Sequence, residues 1–387
     1  MKLPDYVGSL AYGLKMGVIL PGMDIVEEVL TALAPCSRDG LLGDNDVICI
    51  TESVVARAQN NYITVDDIAR EIKEKMGLSR DSRLAVVFPI ASRNRFSMIL
   101  KGLARAVPRG EVVIQLSYPA DEVGNRIIEP EFIERLGKET ITLNDLGDYT
   151  FKHPVTGVDY INLYRQIVEE EGARPVIILS NNPLRALDYK PQGVIAADVH
   201  TRTATKKALS GHSENCITLD QVCTEGEAYS EWGLLGSNMS SGERLKLAPR
   251  EGKTVVKTLQ SRVREKFGHQ VQVMIYGDGA YLDPTSGIYE LADPRAAFAA
   301  TEGLNCLREG FKYKYLADQC YHEEQKSAAE IEAILSERAG RKMDRDCVER
   351  EGTTPRRMED VLASLADLVS GSADAGTPVV VIKNFLA

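Results

Sequence analysis

Apolar side chains recur at helical spacing in several stretches of the chain. In the first, from Asp24 to Leu33, they return every three or four positions. The same spacing predicts helices over residues 66–76, 98–106, 254–267, 327–338 and 355–369. Each of these stretches is therefore expected to bury one face and expose the other.

Short, continuous apolar runs that end in polar turns lie between these helices. Runs of this kind are typical of buried strands. They predict strands over residues 47–50, 84–88, 112–116, 176–180, 271–276 and 378–382. The alternation of strands and helices predicts an α+β or mixed α/β fold built from sheets and helices.

The middle of the chain follows a different pattern. Residues 126–250 contain many Gly, Asn, Asp and Ser turns around one clear strand at 176–180. We interpret this segment as an inserted, partly irregular subdomain. The predicted division is residues 1–125, 126–250 and 251–387.

Composition narrows the class of protein. The net charge of the 387 residues is −10, which is unfavourable for a general nucleic-acid binder. No run approaches the roughly 20 apolar residues that cross a bilayer, and the first residues lack a secretory hydrophobic region. The seven cysteines include no C-x-x-C pair, as in reduced cytosolic proteins. We expect a cytoplasmic protein with no nucleic-acid or membrane partner.

Polar residues at the end of a predicted strand form the first candidate site. The strand at 47–50 runs into Thr51, Glu52 and Ser53, and Arg57 follows. Ligands bind at strand ends in α/β sheets, and Arg57 could hold a phosphate or carboxylate through two parallel hydrogen bonds. The alternative is an ordinary strand edge with a solvated arginine.

Three further segments have side chains suited to anions or cations. Ser92–Phe96 has two arginines in a short predicted loop, which would suit an anionic ligand. Asp121, in the loop 118–125, suits a hard cation such as Mg²⁺ or Mn²⁺. Asp278 lies between two glycines, where backbone N–H groups can approach a phosphate. The alternatives are a solvated loop, an acidic turn and a hairpin turn.

Zinc-ligand residue types occur in the middle segment at His200, His212, Cys216 and Cys223. Their spacing matches no established zinc pattern. A thiol nucleophile next to histidine is chemically possible. Because no local feature activates either cysteine, buried inert thiols are the favoured interpretation.

Several of these segments together resemble the coenzyme F420 γ-glutamyl ligase family. Residues 51–60 resemble its T-S-K-x-x-S-K-A-E-G segment, with Ser53 and Arg57 at its two lysines, and residues 21–25 resemble its P-G-D-D-L helix start. Residues 120–125 resemble its G-I-D-x-S-N loop, and residues 275–279 its I-T-D-T-x-G-R strand and loop. The C-terminal helix, Gly-rich turn and valine run follow the same layout. The resemblance covers about residues 10–125 and 250–387.

The resemblance implies the family's fold and an acid–amino-acid ligase. GTP or ATP would phosphorylate a small-molecule carboxylate, and the amine of L-glutamate would attack the acyl phosphate, with Mg²⁺ or Mn²⁺ as metal and a homodimer as assembly. The implied catalytic residues are Arg57, Asp121 and Asp278. The implied metal ligands are Asp121, Asp278, Glu359 and Asp360. The implied nucleotide-binding residues are Gly13, Leu14, Thr51, Glu52, Arg57, Asn125, Gly371 and Ser372.

The middle segment is expected to determine the acceptor, through His200, His212 and Arg202. Two alternatives stay open. One is a protein of the same fold that binds a nucleotide or another ligand without turnover. The other is a zinc- or thiol-dependent hydrolase that uses the histidines and cysteines of the middle segment.

Overall fold

The computed structural model of the chain describes most of the predicted elements. The described residues are 4, 6–154, 156–278, 281–282, 289–290, 293–308, 312–339, 348, 356–370 and 376–386. Gly371 and Ser372, predicted to bind nucleotide, lie outside these ranges.

The strands are short, as the apolar runs predict. They are β1 Leu10–Leu14, β2 Val47–Thr51, β3 Tyr62–Thr64, β4 Arg83–Val87, β5 Glu111–Leu116, β6 Ile141–Thr142, β7 Arg174–Leu179, β8 Gly193–Ala196, β9 Cys216–Thr218, β10 Asn238–Met239, β11 Arg244–Lys246, β12 Gln272–Tyr276, β13 Tyr281–Leu282, β14 Tyr289–Glu290, β15 Ala297–Ala300, β16 Leu307–Arg308, β17 Arg356–Arg357 and β18 Val379–Lys383.

The twelve described α-helices comprise six that overlap the predicted helices and six that the sequence did not predict. They are α1 Ile25–Arg38, α2 Glu52–Ala58, α3 Val65–Lys75, α4 Arg93–Ala106, α5 Pro130–Leu136, α6 Leu143–Leu146, α7 Tyr160–Glu170, α8 Arg202–Ser210, α9 Gly252–Phe267, α10 Tyr313–His322, α11 Ala328–Ala339 and α12 Met358–Ser370. None of them, over the described ranges, has the length and apolar character needed to cross a membrane.

A five-stranded sheet joins the two ends of the chain. Its order is β1-β18-β2-β12-β15, and only the pair β2–β12 is parallel. Side chains alternate between its faces, so Ile48 and Ile50 pack with α1 and α9, whereas Val47 and Cys49 pack with α12. Both faces are covered, and for this reason the run over β2 is continuously apolar.

A six-stranded sheet forms the second unit. Its order is β6-β7-β5-β4-β8-β9, and all neighbours are parallel except β6 and β7. Residues of α3, α4 and α7 cover one face, and residues of α8 and the 3-10 helix Pro183–Tyr189 cover the other. The two sheets and their helices confirm the mixed α/β class.

The middle segment shares a sheet with the residues before it. Strands β4 and β5 precede residue 125, and β6 to β9 follow it. The predicted boundary at 125 therefore falls inside one sheet. The chain moves from the five-stranded to the six-stranded sheet near residue 60 and returns near residue 250, close to the other predicted boundary.

A buried ion pair fixes the end of β18 beside the start of β2. Lys383 Nζ donates to Asp46 Oδ2 at 2.5 Å, and the two residues are 5% and 3% exposed. Lys383→Met should lower the free energy of unfolding by about 3–5 kcal/mol, because it leaves the Asp46 carboxylate buried without its cation. Urea denaturation measures this change.

Lys257→Met is the matched control for that experiment. Lys257 pairs with Glu302 at 3.1 Å, but their side chains are 60% and 89% exposed. Its loss should change the free energy of unfolding by about 0–1 kcal/mol. Equal destabilisation by the two substitutions would contradict the structural role of the buried pair.

Candidate functional site

A cavity of about 1070 Å³ opens where strands of both sheets end. The carboxyl ends of β2 and β12 deliver Thr51 and Asp278 to its wall, and the segments after β4 and β5 deliver Ser92 and Asn125. Carboxyl ends of parallel strands leave backbone groups unpaired and are common ligand sites. The cavity is therefore the candidate active site.

The chain after β2 forms one wall of the cavity. It turns directly into α2, so the predicted polar turn is a helix start, and Thr51 Oγ1 donates to Glu52 Oε2 at 2.8 Å. Arg57, in the last turn of α2, lines the cavity and is exposed. No carboxylate of the described residues forms an ion pair with Arg57, which leaves its guanidinium available to an anion.

Glu52 is buried beside a lysine from the other unit. Lys246 Nζ, at the end of β11, lies 3.4 Å from Glu52 Oε1 and donates to Ser53 Oγ at 2.6 Å. Burial opposes ionisation of Glu52, but the charge of Lys246 and hydrogen bonds from Thr51 and Ser53 lower its pKa. Glu52 is therefore ionised at neutral pH.

Arg95 links the two units across the cavity floor. The segment predicted as a loop is the start of α4, where the hydroxyl of Ser92 accepts from the backbone N–H of Arg95 at 3.1 Å. Arg95 Nη1 donates to Asp293 Oδ1 at 2.5 Å, and its Nη2 donates to Asp278 Oδ2. Arg95 was predicted to lie in a loop. It lies in a helix instead, and the helix places its guanidinium beside two carboxylates.

The charged side chains of this cluster change one another's pKa. Burial, together with the nearby Asp278 and Glu52, raises the pKa of Asp293, while the charge of Arg95 opposes the rise. Burial would lower the pKa of Arg95, but Asp293 and Asp278 raise it above its ordinary value. Gly277 has no room for a Cβ because the Asp293 carboxylate occupies that space.

Asp121, predicted to bind metal, lies behind the cavity wall. Its two oxygens accept from the backbone N–H groups of Ala91, Val123 and Asn125 and from the Asn125 side chain, at 2.7–3.1 Å. Burial raises the pKa of Asp121 to about 6, against these four hydrogen bonds. Asp121 is thus the residue that shapes the loop whose Val123 and Asn125 line the cavity, and its metal role stays a prediction.

Some of the other residues predicted to bind ligand line the cavity, and others lie outside its lining. Among the described ones, Thr51, Glu52, Arg57, Asn125 and Asp278 line the cavity. Gly13 and Leu14 lie on β1, outside the lining, although Gly13 packs against the cavity residue Thr377.

Glu359 and Asp360 lie at the first turn of α12, where Glu359 pairs with Arg295. The other end of this helix reaches the cavity and carries Asp367. At a rise of ~1.5 Å per residue, Asp360 lies roughly 10 Å from Asp367 along the helix. The metal role of Glu359 and Asp360 also stays a prediction.

Several lining residues were not singled out from the sequence. They are the loop Met16–Ile19, His153, Thr156, Tyr160, Asn238–Ser240, Lys246, Asp367 and Ser370. Asp293, beneath the floor, was missed as well. Their contribution follows from tertiary placement, and the usable local signal was a lysine, Lys246, between two leucines.

The histidines and cysteines of the middle segment do not converge. His200 and His212 are exposed, whereas Cys216 and Cys223 are buried. Over the described part of the chain, no three His, Cys, Asp or Glu side chains are grouped to hold a metal ion. Burial raises the pKa of the Cys223 thiol, so a zinc or thiol site at these four residues has no support. Arg202 pairs with Asp220 at 2.9 Å, outside the cavity lining.

Comparison with known proteins identifies one family. The model described as F420-0:Gamma-glutamyl ligase matches residues 13–384. No curated protein matches the chain. The match includes residues 126–250, which have no counterpart in the motifs quoted above.

Removal of Arg95 tests the link across the cavity floor. Arg95→Met should lower the free energy of unfolding by about 3–5 kcal/mol, because Asp293 stays buried without its cation. Arg95→Lys should recover only part of this loss, since lysine cannot fork across two carboxylates. Denaturant titration of both variants measures the differences.

Arg93→Met provides the control within the same helical turn. Arg93 is exposed, so its loss should change the free energy of unfolding by about 0.5 kcal/mol or less. If Arg95→Met is as mild as Arg93→Met, the ion pairs of Arg95 do not hold the two units together.

Proposed function

Because the chain belongs to the F420-0:gamma-glutamyl ligase family, we propose that the cavity joins L-glutamate to the carboxylate of a small-molecule acceptor. GTP or ATP would supply the energy of the new amide bond. The observation that carries the proposal is the set of three cations, Arg57, Arg95 and Lys246, which line one cavity.

The proposed reaction has two steps. An acceptor carboxylate oxygen bonds to the γ-phosphorus as the bond to the β-phosphate oxygen breaks, which gives an acyl phosphate and a nucleoside diphosphate. The neutral amine of glutamate then bonds to the acyl carbon, phosphate leaves, and the amine proton passes to solvent. Phosphoryl transfer depends mainly on position and charge neutralisation.

The side chains of the cavity fit these requirements. Arg57 is exposed, lines the cavity and forms no ion pair within the described ranges, so we assign it to a phosphate group. Arg95 and Lys246 are held in place by carboxylates, so that their N–H donors are positioned at the floor for the transferred group. Asn125 offers an amide to the nucleotide or the acceptor.

A divalent cation fits the oxygen donors of the cavity. Mg²⁺ uses one or two carboxylates together with substrate phosphates, so a group of three protein ligands is not required. Asp278 and Asp367, carboxylates of the described lining, would hold it together with the substrate phosphates. When bound, the metal would neutralise phosphate charge.

We also propose that the enzyme works in the cytoplasm as a homodimer.

The direct test is turnover by the purified protein. GTP or ATP, Mg²⁺ or Mn²⁺, L-glutamate and a panel of small carboxylic acids are combined, and nucleoside diphosphate and phosphate are measured. The proposal requires release that depends on both glutamate and an acceptor, with a product heavier by one glutamyl residue. Tight nucleotide binding without any release would favour a binding protein of the same fold.

Arg57→Ala tests the phosphate contact. Loss of a charge-assisted hydrogen bond should weaken GTP or ATP binding by about 1.5–3 kcal/mol, roughly a 10- to 100-fold rise in Kd. Arg57→Lys should recover part of it, because the charge returns without the fork. Calorimetry at one salt concentration measures both.

Arg264→Ala is the matched control, since Arg264 is also an exposed arginine in the last turn of a helix but does not line the cavity. It should bind nucleotide like the wild type. If Arg57→Ala and Arg264→Ala give the same Kd, Arg57 does not contact phosphate.

Asp278→Asn tests the metal assignment. In the presence of nucleotide, the substitution should weaken Mn²⁺ binding about tenfold or more, because a charged oxygen ligand is lost. Asp318→Asn, on the exposed side of α10, should leave Mn²⁺ affinity unchanged. Unchanged affinity in Asp278→Asn would remove Asp278 from the metal site.

A further inference from the structure

Lys246 is the one cation of the described cavity lining that the middle segment contributes. It ends β11, whose register against β3 sets Lys246 opposite Tyr62. The residue is 8% exposed. A lysine so deeply buried is uncommon unless it is paired, so its contacts should reveal why it is there.

Two neighbours on the opposite wall hold the Lys246 ammonium. Its Nζ donates to Ser53 Oγ at 2.6 Å and lies 3.4 Å from Glu52 Oε1. An ammonium has three donors. Within the described residues the third has no partner, although Lys246 lines the cavity.

The position of this ammonium matches a substitution in the sequence. The ligase motif that residues 51–60 resemble has a lysine where this chain has Ser53. Serine is too short and carries no charge. In this chain the serine hydroxyl binds the ammonium of a lysine that arrives from a strand nearly 200 residues later, at a separation of 193. The charge that the motif places on the turn after β2 is thus present but comes from β11.

We propose that Lys246 contacts the substrate phosphate and supplies the positive charge that the motif otherwise has at position 53. Ser53 and Glu52 are positioning residues that aim its ammonium. The proposal rests on the proposed function, because it gives Lys246 a role in phosphoryl transfer. It makes the middle segment part of the phosphate site and not only a determinant of the acceptor.

A purely structural pair between β11 and α2 is the competing explanation. It predicts that removal of Lys246 affects folding and that a lysine at position 53 has no compensating effect. The phosphate role predicts that charge can be moved back to position 53. The decisive comparison is therefore Lys246→Met alone against Ser53→Lys/Lys246→Met.

The probe is inorganic tripolyphosphate, with GTP and ATP beside it, measured by calorimetry on the full chain. Lys246→Met should raise the Kd roughly 10- to 100-fold, as expected for loss of a charged hydrogen-bond donor. Ser53→Lys/Lys246→Met should regain about tenfold of that loss. If Lys246→Met binds within about threefold of wild type, or if the folded double variant regains nothing, the proposal is overturned.

Folding is controlled separately by circular dichroism and urea titration. If Lys246→Met does not fold, Glu52→Gln/Lys246→Met replaces it, because no unpaired buried charge remains there. Lys383→Met is the matched control for burial: it loses a buried, paired lysine outside the cavity lining and should bind tripolyphosphate like wild type while folded.

Turnover separates the failure of this inference from failure of the ligase proposal. In an active enzyme, Lys246→Met should lower kcat on the order of 100-fold, and the double variant should restore about tenfold. Absence of glutamate-dependent phosphate release in the wild type would refute the ligase function alone. The tripolyphosphate measurements would still decide the role of Lys246.

Discussion

The ion pairs of Arg95 are the interaction on which the cavity depends. Arg95 belongs to the helix that covers the six-stranded sheet, whereas Asp278 and Asp293 follow β12 of the five-stranded sheet. A guanidinium keeps its charge at any physiological pH and offers donors in one plane, so it can hold two carboxylates at a fixed separation. Without this cation, buried like charges would face each other. Arg95 therefore links the two sheets at the ligand site, where Lys246 forms a second link to Glu52 and Ser53.

Elements of the fold were predictable from the sequence where adjacent residues carry the pattern that defines them. The helix from Ile25 and the strand from Val47 were predicted because their periodicity or length is written in adjacent residues. The strands Gly193–Ala196 and Cys216–Thr218 were missed, since three or four residues carry no pattern. They become strands through pairing with β4 and with each other. Sheet order depends on such distant pairing, which explains why the middle segment was taken as an insertion.

The residues of the candidate site were likewise predictable only where the local sequence marks them. Thr51 and Asp278 were predicted because each follows an apolar strand, and in the structure these strands, β2 and β12, are adjacent and parallel. Lys246 and Asp293 could not be found by this argument, because their approach depends on contacts across 193 and 198 residues. Asp121 illustrates a further limit. A carboxylate in a loop looks the same in sequence whether it faces a ligand or accepts hydrogen bonds from its own loop.

A site for a polyanion has to keep several cations close together before the ligand arrives, and they repel one another strongly in a low-dielectric cavity. In this protein carboxylates oppose that repulsion: Glu52 holds Lys246, and Asp278 and Asp293 hold Arg95. The cations are then positioned without the ligand, so binding requires little rearrangement of charge. The same carboxylates also reduce the attraction of the cavity for an anion. Another cation has to restore that attraction. Arg57, exposed at the wall and unpaired within the described residues, is placed to restore it.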